Sequence, residues 1–90
     1  MNIVVYLFAE FDETAYKILT LLEKNDITFS VYSFADDDSM DSISHKTGHR
    51  IRRLPQVEVD GKLIGSYYDI FEFLINKKVI NYKGEKCQTM

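Results

Sequence analysis

Arg53-Leu54-Pro55-Gln56-Val57-Glu58-Val59-Asp60-Gly61-Lys62-Leu63-Ile64-Gly65 is the stretch that decides the fold. Gln56 to Val59 alternates polar and apolar side chains, the period of a strand with one face covered. Asp60-Gly61 is the strongest short hairpin signal, because a two-residue turn needs residues that tolerate positive φ. Lys62-Leu63-Ile64 then leads the chain back. Pro55, the only proline of 90 residues, stands just before the first of these strands. Its missing N–H confines it to a strand start, a turn or a cis bond, and its position alone leaves those open.

Working outward, Ile3-Val4-Val5-Tyr6-Leu7-Phe8 is apolar without interruption, as a strand buried on both faces is. It predicts the central strand of a partly parallel sheet. Asp12 is placed to cap a helix with Glu13 in its first turn, and Ala15, Ile18, Leu19 and Leu22 recur at helical spacing up to Lys24-Asn25. Ile27, Phe29 and Val31 alternate with Thr28, Ser30 and Tyr32 and predict a second, half-buried strand, completing a right-handed βαβ unit. Asp36 to Ser39 opens a short helix with Met40, Ile43 and His45 facing inward, and Gly48 stops it. Asp69 followed by Glu72 predicts a capping box for a last helix containing Ile70, Phe71, Phe73 and Leu74. The expected order is β-α-β-α-β-β-α, with a domain over 1–80 and a frayed, flexible polar tail over 81–90.

The net charge of −3 conceals an asymmetry: residues 1–41 carry nine acidic and two basic side chains, residues 42–90 five and nine. Such a distribution suits a protein partner and disfavours nucleic acid, which the acidic half repels. No apolar run reaches the ~18 residues of a membrane span, and the start has no secretory pattern, so membrane association is not expected and a cytoplasmic setting is. One cysteine, Cys87, leaves no internal disulfide and no multi-cysteine metal site.

The decisive stretch resembles the glutaredoxin branch of the thioredoxin fold. Arg53-Leu54-Pro55-Gln56-Val57 matches that family's T-V-P-Q-V/I segment, in which the proline is cis. Val59 to Gly65 matches its I-D-G-x-x-I-G hairpin, and Ser66-Tyr67-Tyr68-Asp69 falls where the family has G-x-D-D. The resemblance implies an α/β/α three-layer domain around a four-stranded mixed sheet. Glutaredoxins act through C-x-x-C or C-x-x-S at the start of the first helix, where the helix end lowers the thiol pKa. Aligned through Leu21-Leu22-Glu23-Lys24, those positions here are Asp12-Glu13-Thr14-Ala15. A carboxylate cannot exchange disulfides, so thiol chemistry at this place is excluded.

The glutathione site that the resemblance implies is degraded. Leu54-Pro55 and Asp69 are kept, whereas Ser66 replaces a glycine, Tyr68 replaces an aspartate, and Phe8-Ala9 stand where a basic residue is expected. Arg50, Arg52 and Arg53 offer guanidinium forks for a carboxylate or a partner surface. Tyr67 and Tyr68 beside them have the chemistry of interface anchors. His45 and His49 lack a third metal ligand, and the Asp36-to-Asp41 cluster lacks the glycine and terminal Glu of a calcium loop.

The sequence thus points to a non-catalytic module that binds a protein segment. Its groove is formed by Phe11, Asp12 and Glu13, by Leu54 and Pro55, and by Ser66, Tyr67, Tyr68 and Asp69, with Arg50, Arg52 and Arg53 as guides. No metal and no resident cofactor are expected, and the compactness suits a viral, phage or mobile-element origin. The alternative is a glutathione-binding thiol-disulfide oxidoreductase or transferase-like enzyme that uses a bound thiol or Cys87.

Overall fold

A strand that is apolar on both sides has to lie between two covering layers, and Ile3–Phe8 (β1) does so. The computed structural model describes residues 1–10 and 12–87. After β1 come Glu13–Lys24 (α1), Phe29–Phe34 (β2), Met40–Thr47 (α2), Gln56–Val59 (β3), Lys62–Gly65 (β4) and Tyr67–Asn76 (α3). The sheet order is β2-β1-β3-β4, with β2 parallel to β1 and the other neighbours antiparallel. This is the expected mixed four-stranded sheet and the expected order. Asp60 and Gly61 both take positive φ, +50° and +86°, as the two-residue turn requires.

Two apolar clusters cover the two faces of the sheet. On one, Val5, Val57, Ile18, Leu22, Ile70 and Leu74 join β1 and β3 to α1 and α3. On the other, Tyr6 and Phe34 meet Ile43 of α2 and Ile51 of the following loop. Leu54 packs against this second cluster, so the segment before β3 is held by the core.

Under α2 the polar groups are tied together. The Tyr6 hydroxyl donates to Glu58 Oε1 at 2.9 Å, and His49 Nε2 lies 2.6 Å from the same oxygen. Burial and then the Glu58 contact push the Tyr6 phenol up to about 12. His49 is thereby fastened to β3, while His45, expected to face inward, is exposed. Gly48, in the αL conformation, ends α2 between the two histidines.

Two further expectations are corrected. β2 begins at Phe29, after Ile27, and Val31 is 46% exposed, because β2 is an edge strand covered chiefly at Phe29 and Phe34. α3 begins at Tyr67, and its capping box pairs Ser66 with Asp69, not Asp69 with Glu72. The segment after Ile80, expected to fray, folds back as far as Cys87. The Asn25 side-chain amide donates to Leu21 O at 2.8 Å and Gly84 O at 3.0 Å, and the Cys87 N–H donates to Val79 O at 3.0 Å. Gly84 lies buried against Phe71 and Leu21. Residues 88–90 of the expected tail lie outside the described residues.

The Tyr6 contact sets a pH dependence with a definite sign. The fold holds the protonated phenol, so its contribution is complete below pH 10.0 and disappears as the pH rises toward about 12. Urea unfolding is expected to show Tyr6→Phe less stable by about 1 kcal/mol at neutral pH. That difference should shrink above pH 10.0, and a constant difference up to about pH 12 would contradict the assignment.

Candidate functional site

The first amides of α1 have no partner within the helix, and Asp12 supplies one. Its backbone is extended (φ −135°), and its Oδ1 accepts the Ala15 N–H at 3.0 Å. Glu13 and Thr14 are exposed, whereas Ala15 is buried in the core. The four positions from Asp12 to Ala15 therefore present a cap, two surface side chains and a packing methyl.

The second wall is the loop before β3. Ile51 is buried, and Ser44 of α2 grips its backbone, accepting the Ile51 N–H at 2.8 Å and donating to its carbonyl at 3.1 Å. With Ile51 anchored, Arg50, Arg52 and Arg53 all project from the loop as exposed residues. The Leu54–Pro55 peptide bond is cis. Among the described residues the Leu54 backbone makes no hydrogen bond. Its N–H and C=O are thus uncommitted within the described residues.

The third wall is the start of α3. Ser66 is the N-cap, and its N–H donates to Asp69 Oδ2 at 3.0 Å. Gly65 has φ +134°, and a side chain there would run into the Asp69 carboxylate, so the cap requires glycine. Tyr67 is half-buried against Phe71, whereas Tyr68 stands 82% exposed beside it with the rings 5.4 Å apart, edge to face.

These walls enclose a cleft of about 310 Å³. Asp12, Arg53, Leu54, Pro55, Ser66, Tyr67, Tyr68 and Asp69 line it together, as the sequence reading grouped them. Arg50 and Arg52, exposed on the same loop, are not among the lining residues, whereas Arg53 is. Glu13 is likewise absent from the lining, and Phe11 lies outside the described residues. Thr14 and Lys17 line the cleft instead. Lys17 was missed as a site residue, although it stands one turn after Glu13, to which it makes an exposed contact at 4.0 Å.

Charge in the cleft is mixed, with Arg53 and Lys17 facing Asp12 and Asp69, and both carboxylates already accept a backbone N–H. Beside this end of the sheet the Glu10 carboxyl is pushed up by its hydrogen bond with Asp36 and by that group's charge. The Cys87 backbone N–H donates to Val79 O, beyond the far end of α3. A ten-residue helix, about 15 Å long, separates that end from the cleft. Among the described residues no group of three or more His, Cys, Asp or Glu is placed to hold a metal ion.

No family model and no curated protein sequence matches the chain. Solved structures do. Glutaredoxin 1 from Francisella tularensis, complexed with cacodylate, superposes with a TM-score of 0.68 at 16% identity over 84% of this chain and 93% of that one. The glutaredoxin–glutathione complex of buckwheat gives 0.62 at 20% identity, covering 84% and 70%. A glutathione transferase homologue from Burkholderia with bound glutathione gives 0.67 at 18%, covering 86% of this chain and 39% of that one. The fold is that of the glutaredoxins.

On that glutaredoxin fold, Asp12 makes a cap that alanine cannot make. Asp12→Ala is expected to lose about 1 kcal/mol in urea unfolding. Asp12→Asn or Asp12→Ser should keep most of the stability, and an unchanged midpoint for the alanine variant would show that the cap contributes nothing.

Proposed function

We propose that this protein is a non-catalytic module whose cleft holds an extended segment of a partner protein. The observation that carries this reading is the combination of an open Leu54 backbone with an Asp12 carboxylate committed to capping α1. The first gives a ligand main-chain groups to pair with, and main-chain pairing supplies affinity with little dependence on sequence. The second puts a helix cap where the family resemblance has its reactive thiol. Tyr68 offers a large exposed ring at low entropy cost, and Arg53 offers a fork for carboxylates.

Glutathione is the second reading, favoured by the glutathione held in two of the similar structures. Asp69 is the residue that the family resemblance offers for its amino end. Against it, Asp69 already accepts the Ser66 N–H through one oxygen, and Asp12 adds a negative charge facing an anionic ligand.

Arg53→Glu and Tyr68→Ala change exposed side chains only, so a double variant should remain folded. In capture experiments under excess reductant, a partner retained by the natural protein is expected to be lost by the double variant. A partner retained equally by both would move the binding face away from the cleft. Titration with S-methylglutathione, followed by amide NMR shifts at Arg53 to Val57, decides the second reading: saturation supports it and unchanged spectra exclude it.

A further inference from the structure

An edge strand leaves half of its main-chain groups without a partner, and β2 is one of the two edges of the sheet. Phe34 O accepts the Ala9 N–H at 2.8 Å, so the main chain of Phe34, and by alternation that of Tyr32 and Ser30, is turned toward β1. Phe29, Val31 and Ser33 therefore turn their N–H and C=O outward. Ser30 to Ser33 are all exposed, so among the described residues no helix or loop covers this edge. The other edge is blunted: β4 has four residues, opens with Lys62 and pairs with β3 in a register that shifts at Val57 and Glu58. β2 has six residues without a charge, a proline or a glycine, and all six stay in register with β1.

The side chains of this strand complement their own reverse. Laid antiparallel on a copy of itself about Val31, the strand sets Phe29 against Ser33 and Ser30 against Tyr32, so each large ring meets a small side chain. Tyr32 is 52% exposed, yet its ring is already held by Phe34 at 4.8 Å and Tyr6 at 6.1 Å. Val31, itself half-exposed, falls on the two-fold axis against its own copy. The charged residues nearest in sequence, Asp26 and Asp36, lie outside the paired segment, and Asp26 already carries Lys86 at 3.6 Å. No charge on the strand itself repels a second copy.

We infer that β2 pairs antiparallel with β2 of a second copy of this chain, centred on Val31, and so doubles the four-stranded sheet. Phe29, Val31 and Ser33 then exchange about six main-chain hydrogen bonds across the axis. The contact is one strand wide and buries far less than the ~800 Å² per partner of a stable complex, so the dimer is weak, with a dissociation constant above about 1 μM. No β2 residue lines the cleft, so both clefts stay open and the pairing is independent of what they hold.

The test is sedimentation equilibrium of the natural protein under reducing conditions from about 1 μM to about 1 mM, with amide hydrogen exchange at both ends of that range. The mass should rise toward two copies. The Val31 and Ser33 amides should become protected only at the high concentration, whereas those of Ser30 and Tyr32, bonded to β1, are protected at both. Val31→Lys places a charge on the axis, and Ser33→Pro removes an outward N–H while leaving the β1 ladder intact. Both variants should stay monomeric at every concentration, and Lys62→Gln, on the opposite edge of the sheet, should dimerise as the natural protein does. A monomer throughout the range, growth beyond two copies, or a dimer that survives in Ser33→Pro would overturn the inference. Exchange on the natural protein needs no variant to fold: Val31 and Ser33 amides equally unprotected at both concentrations would overturn it as well.

Discussion

Everything in this domain follows from β1 having two apolar faces. A strand of that kind is stable only between layers, and the chain provides α1 and α3 on one side and α2 on the other. Because β1 and β2 run parallel, α1 must cross between them, and its N-terminus emerges at the end of the sheet where β1 stops. The antiparallel hairpin of β3 and β4 then brings the segment before β3 and the start of α3 to that same end. The cleft is a consequence of this topology, produced before any side chain in it is chosen.

What the side chains at the start of α1 supply is a helix cap and a packing methyl. A helix N-terminus stabilises negative charge, whether that charge is a thiolate prepared for attack or a carboxylate that caps the helix. Asp12 uses the same electrostatics for stability. Ala15, four positions into the same motif, faces the core. The loop before β3 and the Gly65-Ser66-Asp69 cap keep the other two walls of the cleft in place. The backbone N–H of Cys87 donates to Val79 O, beyond the other end of α3.

Much of the architecture was legible in the residues because it is local. Asp60-Gly61 dictates its turn, the unbroken run from Ile3 to Phe8 dictates a central strand, and Asp12 sits where a cap belongs. What the residues did not show lies partly in backbone geometry and partly in contacts between residues distant in sequence. Asp69 with Glu72 and Ser66 with Asp69 both show capping-box spacing, and the backbone at Gly65, with φ +134°, decides between them. The C-terminal turn depends on Asn25, whose amide reaches Gly84 across 59 positions. Within Arg50-Ile51-Arg52-Arg53, pattern alone could not say that Ser44 would grip Ile51 or that Arg53 would line the cleft. His49 and Glu58 carry no sequence signal for each other at all.

The central claim is that the cleft binds and does not react. Its most direct test is the steady-state rate at which the purified protein catalyses reduction of a small mixed disulfide by glutathione. The rate for the natural protein should equal that for Cys87→Ser and the uncatalysed background. Turnover above background, and above all turnover lost in Cys87→Ser, would contradict the account and make the domain an enzyme.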